Sequence, residues 1–240
     1  MSKDTHDPED RWRALLEAAR QRIDEQDSVA ARAVLREAMN YTDQTWGKDD
    51  GHLIRPLRLM AESFWREHGP LDPNNESEVE CLQRALAIAR RRLPPDHLEV
   101  GRLAGEVGNH LVIAGHIDEG CALMLECVEI ADKNASEDVS LMYLSGIGYA
   151  RMEQGRPVEA LAFFERATTA YARRDPSSTT HAIKRSELGK CLLALGRKEE
   201  ALEQFHLALR LLDATRIHGK HAYLMSEVME MIDSVEREKL

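Results

Sequence analysis

One helix-pair pattern recurs about every forty residues along this chain, and that recurrence restricts the fold more than any composition could. It is sharpest in three copies. The first runs Val107-Gly108, Leu111, Gly115, Gly120, Met124, Cys127. The second runs Ile147-Gly148, Arg151, Gly155, Ala160, Phe164, Ala167. The third runs Leu188-Gly189, Leu192, Gly196, Ala201, Phe205, Ala208, and the internal spacing is the same in all three. A unit of this length cannot bury its apolar face alone, so repetition predicts a solenoid in which each helix pair packs on its neighbours. Gly148 and Gly189, with Ala160 and Ala201 opposite, let the two helices of a pair approach closely. Phe164 and Phe205 are expected to fill the gap between one pair and the next. Gly115, Gly155 and Gly196 are expected to end the first helix of each pair, where a left-handed residue is needed.

Two looser copies lie upstream. Ala18-Ala19 and Arg22 precede Ala31, Leu35 and Ala38, with Gln26 where Gly would stand. Leu57, Met60, Ala61, Phe64 and Trp65 precede Gly69, then Glu78, Leu82 and Ala85. Glu78 replaces the small residue that close approach would ask for. Pro70-Leu71-Asp72-Pro73-Asn74-Asn75 lengthens that turn, a cheap insertion at a surface. The small residues late in each second helix fall at 38, 85, 127, 167 and 208, so successive spacings are 47, 42, 40 and 41 residues.

These motifs resemble the tetratricopeptide repeat. The exits Gly47-Lys48-Asp49-Asp50-Gly51-His52 and Pro94-Pro95-Asp96-His97 look like its longer kinesin-light-chain form. The resemblance implies an all-α chain: a right-handed α-solenoid of about five antiparallel helix pairs plus a C-terminal capping helix. We expect a flexible tail over 1–9 and one superhelical domain over 10–240. Its pairs fall at 10–46, 52–93, 97–133, 138–174 and 179–215, with the capping helix at 221–238. In that helix Tyr223, Leu224, Val228, Met231, Ile232 and Val235 recur at helical spacing.

Charge and motifs exclude several chemistries. The formal net charge is −10 and the pI about 5.5, which disfavours nucleic acid as a partner. Arg90-Arg91-Arg92 reads as a helix C-terminus complementing the helix dipole, with a phosphate site as the alternative. No apolar leader or membrane-length apolar run is present, so a cytoplasmic protein is expected, away from membranes. The four cysteines, 81, 121, 127 and 191, contain no Cys-x-x-Cys pair and read as core thiols in a reducing compartment. His52, His97, His181 and His221 recur near the starts of first helices, where a polar residue suits the repeat. The ten histidines show no metal-binding spacing. Gly146-Ile147-Gly148 lacks the strand and third glycine of a dinucleotide fingerprint. The expectation is no enzyme, no metal and no cofactor.

By the resemblance, first helices line a concave groove. Counting along each first helix from its small residue puts these side chains inward: Arg13, Leu16 and Arg20; Leu59, Ser63 and Arg66; Arg102, Gly105, Asn109 and Val112; Met142, Ser145, Tyr149 and Met152; Ile183, Ser186, Lys190 and Leu193. The expected partner-binding set is Asn109, Tyr149, Lys190, Arg102, Met152, Ser145, Ser186, Arg66 and Arg20. Asn109 can pair with a peptide backbone, as inward Asn residues do in related repeats. Tyr149 and Met152 offer an apolar seat. The cations can hold acidic groups. The family's carboxylate clamp is matched only by Asn109 and Lys190, two units apart. The function expected is an adaptor or scaffold that binds a protein or peptide, with a bias toward acidic targets. Alternatives are a regulator or antitoxin-like inhibitor that occludes an enzyme, and a peptide-sensing or phosphatase-type regulator. Self-association through the cap helix or through Trp12, Leu15 and Leu16 is a further option.

Overall fold

The computed structural model describes residues 7–68, 76–214 and 222–237. Part of the expected tail, the Pro70–Asn75 insertion, the loop after residue 214 and His221 lie outside them. Among the described residues the fold is all-α with eleven helices. They are α1 (Pro8–Asp24), α2 (Ser28–Thr45), α3 (Ile54–His68), α4 (Glu76–Arg92), α5 (Leu98–Ile113) and α6 (Ile117–Lys133). The others are α7 (Glu137–Glu153), α8 (Pro157–Arg174), α9 (Thr179–Ala194), α10 (Lys198–Ala214) and α11 (Ala222–Arg237). A 3-10 turn, Gly51–Leu53, leads into α3. Five antiparallel pairs and a terminal helix are thus present, as an α-solenoid requires. They group into two compact units, one ending at Ser136 and one beginning at Glu137.

Local chemistry sets the helix ends. Asp27 caps α2, its carboxylate accepting from the Ala30 amide at 3.0 Å. Ser178 caps α9 through the His181 amide at 3.1 Å. His97 caps α5 with a ring nitrogen, Nδ1 accepting from the Glu99 amide at 3.1 Å. The turns inside the pairs share one pattern. Gly115, Gly155 and Gly196 have φ of 88°, 69° and 73°. The amide after each glycine bonds back to a carbonyl in the last turn of the first helix, at Leu111, Arg151 and Leu192. Gln26 does the same with φ 62°, and Asp27 N–H reaches Arg22 O. The looser first copy therefore closes by the same turn without glycine.

Packing inside a pair comes in two forms. In α5/α6, Gly108 and Gly120 face each other backbone to backbone. A Cβ on Gly120 would lie 2.5 Å from the Gly108 carbonyl oxygen. In α7/α8 and α9/α10 an aromatic ring fills the space instead: Phe164 lies over Gly148 and Phe205 over Gly189. Each ring thus serves its own pair first. Both are also buried in the core that joins α8, α9, α10 and α11 through Ala182, Cys191, Leu192, Val228 and Ile232. Through Val228 and Ile232, α11 closes that core. In the first unit, Trp12, Leu16, Ala19, Ile23, Leu35 and Leu59 form one core cluster and Leu53, Leu57, Leu86, Ile88, Leu103 and Val107 another.

Two polar devices hold the first unit. Glu78, the odd residue in a small-residue slot, is 5 % exposed, and its Oε1 meets His110 Nε2 on α5 at 2.8 Å. The slot accepts a carboxylate because a neighbouring pair supplies its partner. His52 is held more tightly. Its ring stacks on Trp46 (4.1 Å, 10°) and meets Trp12 edge-on at 5.1 Å. Nδ1 faces Asp50 at 2.5 Å and Nε2 faces Glu9 at 2.6 Å. Burial acts to lower the His52 pKa, but hydrogen bonds to Asp50 and Glu9 and their charges outweigh it and raise the value. For Asp50, burial acts to raise the pKa, and bonds from His52 outweigh it and lower it.

A raised folded-state pKa on His52 adds stability that is full below its ordinary 6.5 and fades as pH rises through the raised value. Asp50's lowered pKa adds stability that is present above 3.8 and lost on acidification. His52→Gln is expected to destabilise the first unit by about 1 kcal/mol near pH 6, discounted for partial exposure. The deficit should shrink in alkaline buffer. Denaturation followed by tryptophan emission checks this, because Trp12, Trp46 and Trp65 all lie in the first unit. A pH-independent deficit would show that the ring acts by packing alone.

The arginine triplet is committed to structure. Arg90 pairs with Glu126 at 2.6 Å, Arg91 with Asp49 at 2.9 Å, and Arg92 Nε donates to the Asp49 carbonyl at 2.9 Å. These contacts tie α4 to α6 and to the loop before α3.

Candidate functional site

The residues expected to face inward divide by position along their helices. Arg20, Arg102, Asn109 and Tyr149 are exposed, and Lys190 is half-buried. One turn earlier, Leu16, Gly105, Ser145 and Ser186 are all buried. Ser63 is also buried, its hydroxyl donating to the Met60 carbonyl at 2.7 Å. Met152 is half-buried and Arg66 exposed. The reason is visible where neighbouring first helices meet. Leu16 on α1 and Leu59 on α3 share a core cluster, and Ser145 on α7 bonds Glu187 on α9 at 2.8 Å. Fewer of the positions expected to face inward reach solvent than helical counting predicts, because within each unit the preceding turn joins one first helix to the next.

The cations on this face are largely committed. Arg20 Nη1 reaches both oxygens of Glu62, at 2.7 and 2.8 Å, and Arg66 reaches the same carboxylate at 2.9 Å. Lys190 pairs with Glu227 of α11 at 2.5 Å. Arg58 bridges Glu99 at 3.1 Å and Glu106. Burial alone would lower the Arg58 pKa, and the two carboxylates raise it above its ordinary value.

The second unit carries a defined cavity of about 220 Å³. Its apolar surface comes from Ala182 and Ile183 on α9, Leu212 on α10, and Leu224 and Val228 on α11. Tyr149, Ser186, Glu187, Lys190 and Glu227 supply the polar groups. Glu187 is 6 % exposed and well satisfied. It accepts from Ser145 Oγ at 2.8 Å, from Lys184 Nζ at 3.1 Å, and from the Tyr149 hydroxyl. Lys184 also donates to Ser145 Oγ at 2.8 Å. Tyr149 stands at the mouth, 42 % exposed, its ring edge-on to Phe164 at 5.4 Å. Burial first, then the charges of Glu187 and Glu227, push its hydroxyl pKa well above the ordinary phenol value. Met142, also on α7, is 68 % exposed.

Glu187, Lys184 and Glu227 were not among the residues expected from sequence. A signal for Glu187 does exist. It directly precedes Leu188-Gly189, and Glu106 directly precedes Val107-Gly108. Each reaches back to the preceding first helix, Glu187 to Ser145 and Glu106 to Arg58. A glutamate just before the large-small pair is therefore an inter-repeat tie. Glu227 lies outside the repeats, so no repeat register could have placed it.

Thiol chemistry does not suggest a nucleophile. Burial first, with Glu80 adding to it, pushes Cys81 up to about 11, and burial pushes Cys127 up to about 12. Both are thiols at neutral pH, the unreactive form. His181 is built into its helix: Nδ1 donates to the Pro176 carbonyl at 2.8 Å and Nε2 accepts from Arg185 at 3.1 Å. Among the described residues no group of three or more His, Cys, Asp or Glu is placed to hold a metal ion. No helix there is long and apolar enough to cross a membrane.

Residues 138–214 match the family model of the tetratricopeptide repeat. No curated protein matches the chain by sequence. Among solved structures, a putative kinesin light chain with nearly identical tetratricopeptide-like repeats from Podosopora anserina is similar, with TM-score 0.71 and 18% identity. The match covers 89% of this chain and all (100%) of that one. A signal-transduction ATPase with a tetratricopeptide repeat sensor, from Pyrococcus horikoshii, gives TM-score 0.77 at 12% identity. It covers 99% of this chain and 35% of that one. The Rap conjugation regulator of plasmid pLS20, in complex with the Phr* peptide, gives TM-score 0.58 at 17% identity. That match covers 98% of this chain and 64% of the regulator. At these identities the likeness is one of fold. Together the matches show a tetratricopeptide-repeat fold, with the repeat itself matched by sequence over residues 138–214.

Proposed function

We propose that this chain is a non-catalytic protein-interaction module that holds a partner segment on the first-helix face of its second unit. The observation that carries the reading is Tyr149. It is a large, half-exposed ring, fixed by Phe164 below and by a hydroxyl bond to Glu187, at the mouth of a cavity. An aromatic side chain already ordered in the free protein loses little entropy on binding, which suits an interface anchor. Exposed Met142 on the same helix extends the apolar contact. That a regulator of this fold was solved with a peptide supports a segment, rather than a small molecule, as the thing held. In the first unit, exposed Asn109 offers an amide that can donate and accept along a backbone. Four cysteines, none in a disulfide, fit work in a reducing compartment.

The test is affinity capture from source-cell lysate with three variants of verified helicity. Tyr149→Ala probes the second unit and Asn109→Ala the first. Val158→Glu, on the exposed face of second helix α8, is the control. A partner kept by wild type and Val158→Glu but lost by Tyr149→Ala is the expected result. A partner lost only by Val158→Glu would move the interface to the second-helix face and remove the reading.

A further inference from the structure

We infer that the cavity between α7, α9, α10 and α11 receives one bulky apolar side chain of the partner segment, and that the partner is chosen by this side chain rather than by acidic charge. The inference rests on the interaction reading above and specifies what that site recognises.

Size comes first. Small-molecule sites commonly span roughly 300–1,000 Å³. At about 220 Å³ this cavity is below that range and close to what a single large side chain occupies. Chemistry comes next. Ala182, Ile183, Leu212, Leu224 and Val228 offer no hydrogen-bonding side chain to a guest, so a polar or charged group placed against them would lose its water without replacement.

Charge decides the rest. Two carboxylates and one ammonium group line the cavity, and each is matched inside the protein: Lys190 to Glu227, and Glu187 to Lys184, which lies outside the lining. Glu187 is further occupied by Ser145 and Tyr149. An acidic guest that took Lys190 would strand Glu227 beside it, and a basic guest that took Glu227 would strand Lys190. Arg20 and Arg66 are compensated too: both reach Glu62, and Arg66 also lies 3.9 Å from Asp24. At these three positions the expected bias toward acidic targets therefore has no unmatched cation behind it; exposed Arg102 lies in the first unit, outside the lining of this cavity. What remains at the mouth is dipolar. Ser186, Lys190 and Glu227 can meet the N–H and C=O groups of an extended backbone on either side of the inserted side chain. A partner segment with one Phe, Trp, Leu or Met and an uncharged flank satisfies every surface the cavity presents.

The experiment pans a random peptide library against the whole chain, then measures selected peptides by titration calorimetry. We expect enriched peptides to share one bulky apolar residue without enrichment of Asp or Glu. Binding should change little from low to high salt, as an interaction without unscreened charge requires. Ile183→Glu, which places a carboxylate in the apolar wall, should weaken binding by at least about tenfold. Leu224→Ala, a milder change on α11, should weaken it in the same direction while preserving the fold. An acid-rich consensus whose affinity falls with salt would overturn the inference. So would an apolar consensus indifferent to both variants, or a library that yields no binder. If lysate capture still shows a partner lost with Tyr149→Ala in any of those cases, the interaction module stands and only the apolar-anchor rule fails.

Discussion

Gly120→Ala is expected to destabilise the first unit by about 3 kcal/mol, a fall in melting temperature of roughly 10 °C. The added methyl would lie 2.5 Å from the Gly108 carbonyl oxygen and 2.8 Å from the Val112 nitrogen. Both are backbone atoms of α5, so no rotamer change relieves the clash and the helices must separate. Separation opens the interface that Met124, Cys127 and Val128 fill from α6. Alanine's better helix propensity offsets about 1 kcal/mol of this. Two companions calibrate the effect. Gly148→Ala meets the Phe164 ring at 2.7 Å, a side chain that can tilt, so its cost should be smaller. Gly115→Ala meets nothing within 4 Å and bears only the left-handed backbone at φ 88°, about 1–2 kcal/mol. Chemical denaturation followed by tryptophan emission reads the first unit for Gly120 and Gly115. Circular dichroism reads Gly148. If Gly120→Ala cost no more than Gly115→Ala, the backbone contact between α5 and α6 would be looser than described.

Glu187→Ala is the second large effect, with an expected loss of about 3 kcal/mol in the second unit. The carboxylate is buried and accepts from Lys184, Ser145 and Tyr149, which come from α7 and α9. Its removal leaves the half-buried Lys184 ammonium and two hydroxyls without their shared acceptor. Glu187→Gln keeps an acceptor oxygen and should cost less. A second readout separates this network from simple packing. Burial and the charges of Glu187 and Glu227 raise the Tyr149 pKa, so removing Glu187 must lower it. Alkaline titration of tyrosinate absorbance, with Tyr149→Phe to identify the signal, should show that shift. Because the folded-state pKa is raised, the stability tied to neutral Tyr149 is full below 10.0 and fades only at higher pH. An unchanged Tyr149 titration in Glu187→Ala would break the proposed link between the two residues.

Much of the architecture was legible because repeat packing is encoded by short, local intervals. Gly148 and Phe164 are sixteen residues apart and meet; Gly189 and Phe205 repeat the same interval and the same contact. Gln26 shows where local reading was too strict. The left-handed turn depends on the closing hydrogen bonds as well as on glycine, and those form here with a longer side chain. Glu78 shows the opposite case. It breaks the small-residue rule of its slot, and His110 accommodates it from a helix in the next pair.

From the sequence alone came the helix pairs, their order, their turns and the identity of the first helices, because each is set by residues within one repeat. Tertiary structure alone decided which inward positions reach solvent. Ser145 and Ser186 stand at positions that counting along the helix turns inward, yet the meeting of neighbouring first helices buries them. It also decided that Arg20 and Lys190 stand beside carboxylates of other helices, and that α11 brings Leu224, Val228 and Glu227 to the edge of a cavity. Helical periodicity states the direction in which a side chain leaves its axis. Exposure and charge pairing depend instead on side chains some forty residues away, and no interval within a repeat records how near they come.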